Sequence, residues 1–286
     1  MIKNILKGSL MGIANIIPGV SGGTMAVSMG IYDKLIHCIT HLFSEFKKSL
    51  AFLIPIFIGA AIGLVGLSFA IEWLFDIAPL ETNFMFIGLI VGGFPAIWAK
   101  VKGEQTKGTK ISIGHIIIAI LFFALVAGLA AFGDVGGTDK VLTPSVGTAI
   151  QMLLVGIIAS ATMIIPGVSG SMVLLLLGYY NTIVAEINDF IRALIAFDIE
   201  ALVRGCMLFV PLGIGIIVGI FGIAKGIEIV FEKFPMYAYF AIVGLIVASP
   251  VAILLLSTFG TITMWNILLG VVTFVLGCFI AFKLGD

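Results

Sequence analysis

The sequence contains one seven-residue stretch twice. Residues 16–22 and residues 164–170 both read Ile-Ile-Pro-Gly-Val-Ser-Gly. At the same separation of 148 residues, Gly30 and Tyr32 recur as Gly178 and Tyr180. Seven identical residues in a row are very unlikely to arise by chance. Two copies about half a chain apart indicate one duplicated unit, not a solenoid of many short repeats.

The similarity continues beyond this motif at a separation of 156 residues. Residues 88–91, Gly-Leu-Ile-Val, recur as residues 244–247. Six further positions match at this separation: Pro55, Gly59, Gly63, Gly66, Glu72 and Phe75 recur as Pro211, Gly215, Gly219, Gly222, Glu228 and Phe231. We therefore predict two repeats, at residues 1–135 and 136–286.

The composition is that of a membrane protein. Of 286 residues, 61% are apolar and 10% are charged, whereas a soluble domain has about 25% charged residues. Several apolar runs exceed the roughly 20 residues that a helix needs to cross a bilayer. We predict an all-α polytopic membrane protein. Its three scattered cysteines, Cys38, Cys206 and Cys278, indicate neither a disulfide framework nor a metal cluster.

Each copy of the motif interrupts an apolar segment. Proline and glycine end helices, so we predict a re-entrant helical hairpin at residues 2–40 and a second at residues 147–187. The first hairpin resembles a signal peptide because lysines precede its apolar run. The same motif recurs in mid-chain, however, so we interpret the first copy as part of the folded protein and not as a targeting segment. Three spanning helices are predicted after each hairpin: residues 50–75, 83–99 and 111–131, and residues 205–224, 236–256 and 263–282.

The distribution of positive charge predicts the topology. With the N-terminus in the cytoplasm and each hairpin returning to the side it entered, only Lys140, Arg192 and Arg204 of the 15 Lys and Arg residues fall outside. This agrees with the excess of positive charge found in cytoplasmic loops. Each repeat then crosses the membrane an odd number of times. The repeats would have opposite orientations, and both termini would be cytoplasmic.

Inverted repeats with broken helices are typical of secondary transporters. A helix that begins inside the membrane directs N–H groups and the positive end of its dipole at what precedes it, which favours an anion such as phosphate. The alternative is that both motifs are only helix breaks with packing glycines. The predicted binding residues are Pro18, Gly19, Val20, Ser21, Gly22, Gly23 and Thr24, with Pro166, Gly167, Val168, Ser169, Gly170 and Ser171.

Five other polar residues are weaker candidates. Asn15 precedes the first break and could line the site. Lys48 and Arg204 could attract an anionic headgroup, or could only fix the topology. The repeat equivalents Glu72 and Glu228 could carry a coupling proton, although solvated surface charges would look the same.

The three histidines, His37, His41 and His115, are interpreted as isolated and non-catalytic. No metal site, cofactor or catalytic residue is predicted from the sequence, and no nucleic-acid partner is expected.

Residues 11–24 read Met-Gly-Ile-Ala-Asn-Ile-Ile-Pro-Gly-Val-Ser-Gly-Gly-Thr. Together with the second Pro-Gly-Val-Ser-Gly, they resemble the polyprenyl-phosphate transporters (PopT) of bacteria and archaea over essentially the whole chain. The resemblance implies a flippase that moves undecaprenyl phosphate from the outer to the inner leaflet of the cytoplasmic membrane for reuse in cell-wall synthesis. The expected partners are polyprenyl phosphate, membrane lipids and a coupling proton or cation.

Two other functions are considered. A polyprenyl pyrophosphate phosphatase would need positive charge and a nucleophile or base at its site. Neither motif contains Arg, Lys, His, Asp or Glu, so we predict that the protein is not an enzyme. A transporter of a small soluble anion would use the same fold, and this alternative stays open. A purely structural role is disfavoured because broken helices in lipid need a cavity or protein around them.

Overall fold

The computed structural model describes residues 1–15, 20–132, 140, 142–143, 145–259 and 262–285, and all regular secondary structure within these ranges is helical. The first eight helices are α1 Ile2–Ala14, α2 Gly22–Ser28, α3 Tyr32–Thr40, α4 Phe46–Ala61 (continued by a π-helical turn, Ile62–Gly66), α5 Ser68–Ile77, α6 Pro79–Gly92, α7 Phe94–Thr106 and α8 Ile113–Phe132. The next six are α9 Val146–Ile164, α10 Gly170–Leu176, α11 Tyr180–Ala196, α12 Ile199–Lys233, α13 Pro235–Leu256 and α14 Met264–Gly285.

Seven of the described segments are long and apolar enough to cross a membrane: Phe46–Gly66, Pro79–Thr106, Ile113–Ala131, Val146–Ile164, Ile199–Lys233, Pro235–Leu256 and Met264–Gly285. The prediction of an all-α polytopic membrane protein is confirmed. Six of these segments overlap the six predicted spans. The seventh, α9, was predicted as an arm of the second hairpin. The re-entrant path of the two hairpins and the inverted orientation of the repeats stay predictions.

Two helices extend beyond the predicted spans. The span predicted at residues 83–99 ends within α7, which continues to Thr106 and carries Lys100 and Lys102. The polar stretch at residues 188–204 belongs almost entirely to α11 and α12, which are separated at Phe197 in the left-handed conformation (φ 53°). Since α12 has 35 residues, it is about 52 Å long. It therefore exceeds the roughly 30 Å thickness of a hydrocarbon core.

The arm that follows each motif is broken at a glycine. Gly30 (φ 66°) separates α2 from α3, and Gly178 (φ 75°) separates α10 from α11 with a bend of 105°. Each of these glycines donates its N–H to the carbonyl three residues before it, at 2.9 Å. The left-handed conformation favours glycine at a helix end. The predicted hairpins at residues 2–40 and 147–187 did not include these breaks, which fall at the same position of the repeat in both copies.

The chain forms two compact units. The first contains Met1–Ala131, Ile165–Val168 and Ala224–Asp286, and the second contains Phe132–Ile164 and Ser169–Ile223. These units do not follow the predicted repeat boundary near residue 135, which stays an inference from the sequence.

In the first unit, α1 packs on α4 through glycine. A Cβ atom at Gly59 would collide with the carbonyl oxygen of Ile5, and one at Gly63 with that of Ser9. Small residues allow this close approach of helices in lipid, as the sequence predicted. The absence of side chains at the contact brings the two backbones together.

In the second unit, α9 packs on α12 in the same way. A Cβ atom at Gly215 would collide with the carbonyl oxygen of Leu153, and one at Gly219 would lie 2.9 Å from that of Ile157. Gly215 and Gly219 are the repeat equivalents of Gly59 and Gly63. Their partners also correspond, because positions 153 and 157 lie 148 residues after positions 5 and 9. The duplication is therefore present in helix packing as well as in sequence.

This packing can be tested in α12. Replacement of Gly215 by alanine places a methyl group on the Leu153 carbonyl, and we expect a loss of about 1–3 kcal/mol of stability from overpacking. Gly213 in the same helix has no atom within 4 Å of a built Cβ. Gly213→Ala is therefore the matched control, with stability unchanged or raised by up to about 1 kcal/mol through helix propensity. Thermal unfolding of the purified protein in detergent measures both. Equal unfolding temperatures for the two variants would contradict the proposed contact.

Candidate functional site

The first motif is a capped helix start. Pro18 and Gly19 lie outside the described residues, but Val20 to Thr24 are described and buried. The N-cap of α2 is Ser21, whose Oγ accepts a hydrogen bond from the Thr24 N–H at 3.2 Å. The Gly22 N–H donates to Oδ1 of Asn15 at 2.9 Å. Side-chain oxygens thus satisfy two of the N–H groups that a helix start leaves unpaired.

This capping differs from the prediction that the start of α2 presents its N–H groups to an anion. Two of those groups are occupied by oxygens of the protein itself. Asn15, predicted as a lining residue, acts here as a capping acceptor.

The two motifs meet within the first unit. The N–H of Gly167 donates to Oγ1 of Thr24 at 2.7 Å and to Oγ of Ser21 at 3.2 Å. The two hydroxyl oxygens lie 3.0 Å apart. Either hydroxyl can donate the hydrogen between them, and Ser21 is the better donor because its Oγ already accepts from two N–H groups. We call these three residues, Ser21, Thr24 and Gly167, the junction.

The junction is buried, and its geometry favours glycine at position 167. Ser21 is 4% exposed and Thr24 is fully buried. Gly167 has a φ of 79°, and a Cβ atom there would lie 3.2 Å from the carbonyl oxygen of Leu245. Both the left-handed backbone and the close carbonyl favour glycine. A buried polar group needs its hydrogen bonds, and the junction provides them where the two broken segments meet.

The second motif presents its hydroxyls differently. Pro166, Gly167 and Val168 are buried, whereas Ser169 is half-buried and Ser171 is exposed. Ser169 is the N-cap of α10, but its side chain makes no capping hydrogen bond. Its Oγ instead lies 3.0 Å from Oγ of Ser171. The position equivalent to Thr24 is Met172, so the second copy lacks the hydroxyl that closes the first.

The predicted headgroup-capture residues lie at the surface. Lys48 forms an ion pair with Glu45 at 3.4 Å, and such exposed pairs contribute little to stability. Arg204 is exposed on α12. Their proposed role stays a prediction.

The two repeat-equivalent glutamates have different surroundings. Glu72 is exposed on α5, whereas Glu228 is 7% exposed on α12. Glu228 Oε1 accepts a hydrogen bond from Oγ1 of Thr40 at 2.8 Å, and Oε2 accepts one from Nζ of Lys225 at 2.7 Å. The alternative that Glu228 is a solvated surface charge is therefore wrong.

The interpretation of His37 and His41 as isolated is also wrong. Their rings stack with centroids 4.2 Å apart, and their Nδ1 atoms lie 3.5 Å and 3.2 Å from Oε1 of Glu228. The four-residue spacing, which places two side chains on one helix face, was the available signal. Glu228 lies too far along the chain for sequence reasoning to connect it with them.

His115 has a local structural role at the start of α8. Its Nδ1 accepts a hydrogen bond from the Ser112 N–H at 2.9 Å, and its ring packs against Tyr237 and Phe240.

The sequence matches the VCA0040-like family, described as undecaprenyl phosphate translocase-like, over residues 11–264. It is 33% identical over 284 residues to the polyprenyl-phosphate transporter of Staphylococcus aureus (strain NCTC 8325 / PS 47), covering 99% of this chain and 95% of that relative. It is 31% identical over 222 residues to the polyprenyl-phosphate transporter of Vibrio cholerae serotype O1, covering 73% and 67%. No solved structure matches significantly. These matches confirm the resemblance carried by the duplicated motif.

The junction predicts a specific loss of stability. Thr24→Val keeps the shape of the side chain but removes the 2.7 Å acceptor of the buried Gly167 N–H. We expect destabilisation of about 1–3 kcal/mol, because the Gly167 N–H keeps only its longer bond to Ser21 Oγ and the Ser21 hydroxyl loses its Thr24 partner. Thr24→Ser keeps the hydroxyl and is the matched control, with a smaller loss. Thermal unfolding in detergent compares them, and a valine variant as stable as the serine variant would show that the hydrogen bond contributes nothing.

Proposed function

Since the chain belongs to the undecaprenyl phosphate translocase-like family, we propose that it is a flippase for undecaprenyl phosphate. In this proposal it moves the lipid from the outer to the inner leaflet of the cytoplasmic membrane, so that the carrier can be used again. Membership of this family and the seven candidate membrane spans among the described residues support a membrane transporter of polyprenyl phosphate. We add the direction of transport and its mechanism as proposals.

The observation that carries the mechanism is the junction between the two motifs. It brings one N–H and two hydroxyl groups, all able to donate hydrogen bonds, to one buried point of the first unit. In the described state the Gly167 N–H and one hydroxyl hydrogen are engaged within the junction. When the junction opens, the same donors can turn to phosphate oxygens, which take the strongest hydrogen bonds because they are charged. Binding of the headgroup then replaces one set of hydrogen bonds with another.

The proposed substrate site comprises both motifs: Asn15, Pro18, Gly19, Val20, Ser21, Gly22, Gly23 and Thr24, with Pro166, Gly167, Val168, Ser169, Gly170 and Ser171. Ser169 and Ser171 are the first candidates to meet the headgroup, because they are the less buried hydroxyls of the two motifs. Lys48 and Arg204 remain proposed as surface charges that attract the phosphate. The polyprenyl tail can stay in lipid while the headgroup moves.

Binding of undecaprenyl phosphate to the purified protein in nanodiscs tests the site. The double variant Ser169→Ala/Ser171→Ala is expected to weaken binding at least about tenfold, because a hydrogen bond to a charged group contributes about 1.5–3 kcal/mol. Thr109→Ala removes an exposed hydroxyl outside the motifs and is the control. Unchanged lipid affinity in the double variant would move the headgroup away from the second motif.

The same preparation distinguishes the alternatives. Competition by undecaprenyl pyrophosphate but not by inorganic phosphate supports a lipid substrate. Uptake of a small anion into vesicles without lipid binding would favour the soluble-anion transporter. Release of inorganic phosphate from undecaprenyl pyrophosphate would favour the phosphatase.

We further propose that transport is coupled to a proton or cation, since moving a charged headgroup through the membrane without compensation is costly. Of the two predicted coupling residues, Glu228 is favoured over Glu72 because it is buried. Its carboxylate faces Lys225 on its own helix, Thr40 and His37 on α3, and His41 directly after α3.

Coupling is measured by following undecaprenyl phosphate between the leaflets of vesicles under pH gradients of either sign. Glu228→Gln is expected to remove the effect of the gradient, because glutamine cannot release a proton, whereas Glu72→Gln is expected to retain it. A gradient effect that survives in Glu228→Gln would exclude this residue as the coupling group.

A further inference from the structure

His37, His41 and Glu228 form a cluster of nitrogen and oxygen donors, of which the coupling proposal uses only the Glu228 carboxylate. His37 lies on α3, His41 directly follows that helix, and Glu228 lies near the C-terminal end of α12. One donor atom from each of these residues falls within 4.8 Å of the other two. We call these three residues the His–His–Glu cluster.

We propose that the His–His–Glu cluster binds a divalent transition-metal ion, with Zn²⁺ as its best fit. Zinc binds histidine nitrogen at about 2.0–2.1 Å and carboxylate oxygen at about 2.0–2.2 Å, usually in tetrahedral geometry. Two ligands on such a tetrahedron are about 3.3–3.5 Å apart. The distances from Glu228 Oε1 to Nδ1 of His41 and of His37 are 3.2 Å and 3.5 Å. Two of the three donor–donor distances therefore match a tetrahedral zinc site, and the third is no longer than 4.8 Å.

The neighbouring groups orient the ligands. Lys225 Nζ donates to Oε2 of Glu228, and Thr40 Oγ1 donates to Oε1. Hydrogen bonds of this kind around a metal site fix the orientation of its ligands. Lys225 also brings a positive charge close to the site, which weakens binding of a cation. Its side chain is 55% exposed and can turn into solvent when the metal enters.

The cluster is accessible to ions. The side chain of His37 is 51% exposed and that of His41 33% exposed. Beside them lies an open cavity of about 510 Å³ whose lining includes His37, Glu228 and Glu232. With three protein ligands, one tetrahedral position would be left for water or another ligand.

The donor set also sets the metal preference. Two imidazole nitrogens and one carboxylate oxygen suit zinc and its neighbours in the first transition row. Magnesium and calcium prefer sites made of oxygen alone. We therefore expect Zn²⁺ to bind and Mg²⁺ to compete poorly. This proposal does not depend on the transported substrate.

Equilibrium dialysis of the full-length protein against micromolar Zn²⁺ tests the proposal. The protein must carry no polyhistidine tag and must first be stripped with a chelator. We expect one tightly bound Zn²⁺ per chain, and at least about tenfold weaker binding in each of His37→Ala, His41→Ala and Glu228→Gln. Glu72→Gln changes the exposed repeat equivalent and should leave the affinity unchanged. Cobalt substitution should give the absorption spectrum of a tetrahedral site.

A second measurement avoids variants that fold poorly. Zn²⁺ should protect His37 and His41 of the wild-type protein, but not His115, from modification by diethyl pyrocarbonate, as read by mass spectrometry. Absence of stoichiometric binding, binding unchanged in the histidine variants, or equal protection by Mg²⁺ would each overturn the proposal. The cluster would then be a hydrogen-bonded contact only.

Discussion

The hydrogen bonds from the Gly167 N–H to the hydroxyls of Thr24 and Ser21 join the two copies of the motif within the first unit. In a bilayer no water is available to satisfy an interrupted backbone. A break in a helix at membrane depth therefore requires a polar partner from elsewhere in the protein. Here the second motif contributes the N–H donor, and the first motif contributes the hydroxyl acceptors.

The two copies of the motif differ in their chemistry, although similar helices follow them. Both begin a seven-residue helix and both are followed by a break at a left-handed glycine. Thr24 closes the first copy, but the methionine in its place leaves the serines of the second copy unengaged with its helix start. The hydroxyls of the second copy are therefore the more accessible ones, whereas those of the first copy are buried. This difference would suit the proposed site, in which the second copy meets the headgroup first.

Much of the fold could be predicted because its signals are local or periodic. The length of the apolar runs predicted the membrane spans. The glycines shared by the two repeats lie at the close helix contacts. The breaks at Gly30 and Gly178 were missed because glycine inside an apolar segment is compatible with both a continuous and a broken helix. The proximity of His37 and His41 to Glu228 depends on how α3 packs on α12, which no local pattern encodes. The motif located the candidate site, but its closed state follows from hydrogen bonds between residues that are 143 and 146 positions apart.

The glycine contacts of α1 with α4, and of α9 with α12, have an evolutionary consequence. At Gly59 and Gly215 a methyl group already meets a backbone carbonyl, so none of the other amino acids fits without moving a helix. After the ancestral unit was duplicated, lipid-facing positions were free to drift in each copy, but these glycines could not change one at a time. These glycines are fixed by close helix packing in each repeat, which explains why the duplication can still be recognised in the sequence.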